Sequence, residues 1–131
     1  MPVVDASVLV EYLARSEHAD DARARLLSAD AALWAPHLID AEVGHVLRRA
    51  VRTGELSPGA ARMALADLAD MPLRRAAHVG LLDRAWALRR NVSFYDGLYV
   101  ALAELLDLPL VTFDRRLAGA TGIRAVVDVL P

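Results

Sequence analysis

The chain is 131 residues long, carries a formal net charge of −2 and contains no cysteine. One domain fits that length and two do not, and without cysteine there are no disulfides, thiolate metal sites or cysteine nucleophiles, as suits a reducing compartment. All 15 basic residues are arginine, which gives forked donors for phosphates but excludes Schiff-base and Walker-type chemistry, and the slight negative charge confines any nucleic-acid site to a local patch.

The opening stretch from Met1 to Ser7 has no basic leader pattern. No apolar run reaches the roughly 18 residues of a membrane span, so a soluble, cytoplasmic protein is expected. Pro2-Val3-Val4 reads as the first strand, ending at Asp5. A helix is predicted from Ser7 to Leu13 and another from about His18 to Leu27, followed by a short strand, Leu33 to Ala35, that Pro36 stops. The segment from His37 to Arg52 carries Ile39, Val43, Val46, Leu47 and Ala50 at helical spacing and terminates at Gly54. Ser57-Pro58 places a cap before a proline at the first helical position, opening a helix that runs to about Met71. Pro72-Leu73 begins a weak third strand, and Val79 to Arg90 is helical. Ser93 caps a strongly apolar helix reaching Leu106, Pro109 to Thr112 is a clear strand, and Arg124 to Val127 closes the sheet. Short apolar runs alternating with helices, without linker or repeat, predict an α/β fold with a mainly parallel sheet in a single domain spanning residues 1–131.

Four acidic residues stand out by position. Asp5 and Asp114 each follow a predicted strand directly, at the carboxyl edge where open α/β sheets place ligands, although either could simply cap the next helix. Glu42 falls at the edge of the core-facing arc defined by Ile39 and Val46. A carboxylate there needs a cation or donors, supplied by a metal or by an arginine such as Arg49. Asp96 lies on the inward line of Tyr99, Leu102, Ala103 and Leu106, and the spacing Ser93-x-x-Asp96 also reads as a capping box. Converging in one crevice, these carboxylates would repel by roughly 4 kcal/mol per pair at about 4 Å, so they call for a divalent cation or raised pKa values. An all-oxygen set favours Mg²⁺ or Mn²⁺ over zinc.

Other chemistries have less support. His18, His37, His45 and His78 show no zinc-ligand spacing, although His45 lies one turn from Glu42. There is no G-x-S-x-G elbow, and the serines read mostly as caps or turns. Ser7 is the exception, since two residues after Asp5 it could orient that carboxylate or cap the first helix. No G-x-G-x-x-G follows the first strand, which leaves an ordinary dinucleotide fold unsupported.

The segments Val3-Val4-Asp5-Ala6-Ser7, Asp40-Ala41-Glu42-Val43, Phe94-Tyr95-Asp96-Gly97-Leu98-Tyr99-Val100-Ala101-Leu102-Ala103 and Val111-Thr112-Phe113-Asp114-Arg115-Arg116-Leu117 together resemble the PIN-domain family and, within it, the VapC-type toxins. The resemblance covers essentially the whole chain. Gly97 stands where alanine is more usual. What the likeness implies is a three-layer α/β/α sandwich, Mg²⁺ or Mn²⁺ dependence, endonucleolytic cutting of RNA as the toxin of a toxin–antitoxin pair, and a cognate VapB-type antitoxin. A homodimer is expected as well. By the same likeness Asp5, Glu42, Asp96 and Asp114 are the acidic catalytic and metal-site positions, Asp5 and Asp96 the direct ligands, and Ser7 and Thr112 the flanking hydroxyls.

For the RNA backbone the candidates are Arg115 and Arg116, beside Asp114, and Arg49, with Arg48 and Arg52, along the third helix. Two readings compete with a nuclease. A phosphoryl-switch domain also uses strand-end acids with Mg²⁺ but normally needs a lysine, which this chain lacks. A PIN-like module that binds RNA or a partner without cutting suits the slight negative charge and the lack of an obvious base-stacking platform.

Overall fold

The computed structural model describes residues 1–28 and 32–131. Five strands, β1 (Val3–Val4), β2 (Leu33–Pro36), β3 (Leu73–Ala76), β4 (Leu110–Thr112) and β5 (Val127–Val129), form one sheet in the order β3-β2-β1-β4-β5. Every pairing is parallel, as helical crossovers require. Val3 and Val4 are fully buried, so β1 is the apolar centre of the sheet. From β1 the chain builds outward through β2 and β3, then returns to lay β4 and β5 on the other side. The order therefore switches between β1 and β4, and their carboxyl ends flank a crevice of the kind in which open α/β sheets bind ligands.

Among the described residues seven helices cover the sheet: α1 (Ala6–Leu13), α2 (Ala19–Leu27), α3 (Leu38–Arg52), α4 (Pro58–Asp70), α5 (Leu82–Ala87), α6 (Phe94–Leu106) and α7 (Arg115–Gly119). Packing sorts most of them into two layers, α1 with α2, α3 and α4, and α5 with α6, giving the expected three-layer α/β/α sandwich. Helix α3 buries Ile39, Val43 and Leu47 along one stripe. Helix α6 buries every residue from Gly97 to Ala103 because it lies against β1, β2 and β4 on one side and α5 on the other. At Gly97 a Cβ would stand 3.2 Å from both Cα and O of Ala85, so the missing side chain is what lets α5 and α6 approach so closely. Among the described residues no helix is long and apolar enough to cross a membrane.

Most predicted elements appear within one or two residues of their expected bounds. Gly54 takes φ +79° just beyond α3, the left-handed conformation that makes glycine a helix terminator. Four details differ. The last strand starts at Val127 rather than Arg124, because the Arg124 amide donates to Glu104 and Val126 is left exposed while its carbonyl accepts from Leu110. The segment after Val79 begins as a 3₁₀ turn (Val79–Leu81) and α5 ends at Ala87, well short of Arg90. Val46 is 37% exposed instead of joining the core stripe of α3. Helix α7, capped by Asp114, is an element that the apolar periodicity of so short a segment does not announce.

Candidate active site

Parallel register brings the first part of the site together. Val4 pairs with Val111, so the next residues, Asp5 and Thr112, emerge side by side at the carboxyl ends of β1 and β4. Asp5 caps α1, accepting from the Val8 amide at 3.3 Å, which is the structural role its position also allowed. Its carboxylate does more than cap. The Ser7 hydroxyl donates to Oδ1 at 2.6 Å, and the fully buried Thr112 hydroxyl donates to Oδ2. Those two hydroxyls also fix the neighbouring strand end, with Ser7 accepting from the Phe113 amide at 3.0 Å and Thr112 from the Asp114 amide at 2.9 Å. Burial pushes the Asp5 carboxyl above its ordinary range, and Asp96 adds to the shift, while the bonds from Ser7, Thr112 and Val8 pull against it.

Two helices bring further carboxylates to this strand end. Glu42, in the first turns of α3, is half-buried, and the Tyr99 hydroxyl of α6 donates to its Oε1 at 2.5 Å. The compensating partner is thus a phenol rather than Arg49, which is exposed two turns further along α3, roughly 10 Å away. Burial raises the Glu42 pKa, and Asp96 and Asp5 raise it further against the Tyr99 bond. Tyr99 is itself only 2% exposed, and burial together with Glu42 drives its pKa far upward, so the hydroxyl acts solely as a donor here. Asp96 stands in the first turn of α6, where the Ser93 hydroxyl caps the helix by accepting the Asp96 amide at 3.1 Å. The serine half of the predicted capping box is therefore made, and burial again raises the Asp96 pKa, with Asp114 adding to the effect.

Asp114 differs from the other three acids. It caps α7 through the Arg116 amide at 2.9 Å, and the Arg116 side chain grips it with Nε at 3.1 Å and Nη2 at 3.0 Å. That fork holds the Asp114 carboxyl below its ordinary range. The mutual shifts connect the quartet: Asp96 acts on Asp5 and Glu42, Asp5 on Glu42, and Asp114 on Asp96.

Of the arginines, Arg115 and Arg116 lie beside the acids, Arg115 exposed and lining a small pocket that Ser7 also lines. Arg48, Arg49 and Arg52 are exposed along α3. His45 is exposed, whereas His78 accepts the Leu38 amide at 2.9 Å and His18 packs its ring near Phe113, both structural contacts. Sequence reasoning placed Tyr99 in the apolar stripe of α6 and missed its hydroxyl. The available signal was its spacing, since a residue three beyond Asp96 shares the face that carries that carboxylate.

Coulombic influence reaches further than a coordination bond, and the two measures of this cluster differ accordingly. Among the described residues no three carboxylate or imidazole groups are close enough, in the rotamers they adopt, to share one ion. The donor chemistry nonetheless fits a hard divalent cation: oxygen atoms alone, three carboxyls destabilised by burial and by each other, and a fourth held by a single exposed arginine. Rotation of short side chains, and release of Asp114 by Arg116, would be needed to close such a shell.

The architecture defines a three-layer α/β/α domain with acidic side chains near its switch point, and comparison with known sequences gives its family. A profile of the PIN domain matches residues 3–122, and the chain belongs to the PIN domain family. It is 49% identical over 129 residues to Ribonuclease VapC1 of Mycobacterium tuberculosis, covering 98% of this chain and 96% of that protein. It is also 39% identical to VapC ribonuclease Mb0985 of Mycobacterium bovis, covering 100% of this chain and 99% of the relative. Among solved structures the fold is similar to that of VapC20 of Mycobacterium tuberculosis, described as a sarcin-ricin loop cleaving toxin, with a TM-score of 0.73 at 20% identity and full coverage of both chains. A toxin-antitoxin complex from Klebsiella pneumoniae matches with a TM-score of 0.67 at 21% identity over 97% of this chain and 96% of that one.

Proposed function

We propose that the chain is a divalent-metal-dependent endoribonuclease that acts as the toxin of a toxin–antitoxin pair in the cytoplasm. The observation that supports the reading is the Asp5 carboxylate at the paired ends of β1 and β4, held by Ser7 and Thr112 and raised by burial and by Asp96, with Glu42 and Asp96 on α3 and α6 raised in the same sense. Ribonuclease relatives at up to 49% identity support RNA as the substrate. Asp5 and Asp96 would be the direct metal ligands, with Glu42 and Asp114 completing the oxygen set. A bound Mg²⁺ or Mn²⁺ would lower the pKa of a water and neutralise charge on the phosphate.

The chain's own groups do the positioning. Ser7 and Thr112 fix both oxygens of Asp5, so its carboxylate faces the site in one orientation. Tyr99 holds Glu42 over the same crevice. Arg115 and Arg116 stand where the RNA backbone approaches Asp114, and Arg49 extends the basic surface along α3.

A toxin-antitoxin complex among the similar structures supports a VapB-type antitoxin as partner, and the family likeness adds the expectation of a homodimer. Light scattering of the purified protein, alone and with the product of a neighbouring antitoxin-like gene, tests both. A non-cleaving PIN-like binding module is the second reading, favoured by the grip of Arg116 on Asp114. The deciding experiment maps new RNA ends after brief expression of the wild-type chain beside Asp5→Ala and Asp96→Asn. Discrete ends that vanish in both variants support the nuclease. Tight RNA binding in Mn²⁺ without fragments supports the module.

A further inference from the structure

A pocket of about 430 Å³ opens beside Asp5, with which it shares the side chain of Ser7. Its walls come from α1, the residue before α2, α3, the segment after β4 and the residues Leu130 and Pro131 that follow β5. Val10 and Val46 form an apolar floor, and the half-buried ring of Phe113 forms one side. Polar groups sit at the rim: Ser7, Glu11, His18 and Arg115. Val46 is the residue that leaves the core stripe of α3, 37% exposed, and it lines this pocket.

We propose that this pocket is a nucleobase subsite, taking the base of the nucleotide next to the cut phosphate and preferring bases that carry an exocyclic amine. The inference rests on the ribonuclease reading and adds to it a source of sequence preference. Three features of the pocket carry it. The first is attachment: the Ser7 hydroxyl that donates to Asp5 also accepts the Phe113 amide, so the aromatic wall is fixed to the same atom that fixes the carboxylate. A base against Phe113 is thus held at a set distance from the reacting phosphodiester, which is what a subsite requires. The second is the pairing of flat and charged groups. The His18 and Phe113 rings lie 5.5 Å apart at 41°, offering a stacking wall, while Arg115 follows Asp114 and can meet the phosphate of the same nucleotide.

The third feature sets the preference. One oxygen of Glu11, Oε2, accepts the His18 amide at 3.2 Å, which orients the carboxylate and leaves Oε1 as an acceptor at the pocket rim. An acceptor-only group at a base edge selects donors: cytosine, adenine and guanine each offer an exocyclic amine, whereas the one edge donor of uracil, N3–H, lies between two carbonyl oxygens that repel a carboxylate, so uracil is disfavoured.

The test compares cleavage of a set of short single-stranded RNAs that vary one base at a time on either side of the cut, using the wild-type chain, Glu11→Gln and Val46→Trp, with Mn²⁺ present and folding checked by circular dichroism. The expected result is a wild-type preference of roughly tenfold against uracil at one flanking position, the effect of one good hydrogen bond. Glu11→Gln, which adds a donor, should erase that discrimination while cutting continues. Val46→Trp, which fills the floor, should raise KM for all sequences with little change in kcat. Wild-type cleavage with no base preference beside the cut overturns the subsite, as does a preference that both variants retain. Intact cleavage by Val46→Trp together with lost binding of a protein partner assigns the pocket to that partner instead. Absence of any cutting by the wild-type chain is a different failure, because it removes the ribonuclease reading itself.

Discussion

Replacing Tyr99 with phenylalanine isolates a single hydrogen bond in the site. The ring is only 2% exposed and stays in place, so no cavity opens and no apolar contact is lost. What disappears is a donor 2.5 Å from Oε1 of Glu42. A hydrogen bond to a charged group contributes about 1.5–3 kcal/mol when fully buried, and because Glu42 is half-buried, water can replace part of it. About 1.4 kcal/mol, or tenfold, is therefore the expected size of the effect. It should fall on Glu42 rather than on the fold as a whole. Burial, Asp96 and Asp5 already raise the Glu42 pKa, and the phenol is the bond that opposes them. Tyr99→Phe should push that carboxyl higher still and free it to rotate away from the crevice.

Two measurements check this. Calorimetric titration of Mn²⁺ into Tyr99→Phe should show affinity reduced roughly tenfold, and the acid limb of the cleavage rate against pH should move to higher pH. A variant that melts earlier yet binds Mn²⁺ and titrates like the wild type would refute the reasoning, since the hydroxyl would then serve packing alone.

The pH dependence of stability has a definite sign. Asp5, Glu42 and Asp96 titrate above their ordinary values of 3.8, 4.5 and 3.8 in the folded chain. Their contribution to stability is thus complete below those values and is lost as pH rises through the raised ones, so urea melts of the metal-free protein should weaken from mildly acid toward neutral pH, and millimolar Mn²⁺ should restore what is lost. Asp114 and Glu104, held low by Arg116 and Arg84, work in the opposite direction at stronger acidity, which places the stability maximum on the acid side of neutral. Thr112→Val is isosteric but leaves an oxygen of Asp5 without its donor and the Asp114 amide without its acceptor. Denaturant melts should show a loss of about 1–3 kcal/mol, and cleavage should fall with it. Arg116→Ala should scarcely change the melting temperature, because the side chain is 90% exposed, but it frees Asp114 and should tighten Mn²⁺ binding while raising KM for RNA. Gly97→Ala gains helix propensity but drives a methyl to 3.2 Å from the Ala85 backbone, and thermal melts should show a net loss of about 1 kcal/mol as α5 is displaced.

How much of this could be read from the sequence depended on whether a signal was local. Strand ends, caps and helical stripes are written in neighbouring residues, which is why Asp5 after Val3-Val4, Ser57-Pro58 and Ser93 mark observed boundaries. The two lateral errors have the same origin. Val46 shares the spacing of Ile39 and Val43, and only the arrival of α1 and the β4 loop beside α3 decides that it faces a pocket. Arg124 to Val127 is apolar enough for a strand, but pairing begins where Leu110 finds its partner, a register set 17 residues away in sequence at Val127.

The partner of Glu42 shows most clearly what periodicity leaves open. Reading α3 alone, a carboxylate at the core edge demands compensation, from a metal or from an arginine of the same helix face such as Arg49, two turns on. The structure supplies a neutral donor from α6 instead, 57 positions along the chain. The difference has chemical weight. An arginine would have lowered the Glu42 pKa and neutralised one charge of the cluster, leaving less for a cation to do. A phenol satisfies one oxygen and leaves the charge in place, so Glu42 stays raised beside Asp5 and Asp96. The same pattern holds at Asp5, whose partners Ser7 and Thr112 are also neutral hydroxyls. Around Asp5, Glu42 and Asp96 the chain thus provides orientation chiefly from neutral hydroxyls, and the one arginine nearby, exposed Arg116, pairs with Asp114. Repulsion among fixed carboxylates is what a hard cation would relieve, and that makes Mn²⁺ titration of the wild-type chain beside Asp96→Asn the sharpest comparison: strong binding by the first and loss of it in the second, with the metal-free Asp96→Asn protein more stable than the metal-free wild type at neutral pH.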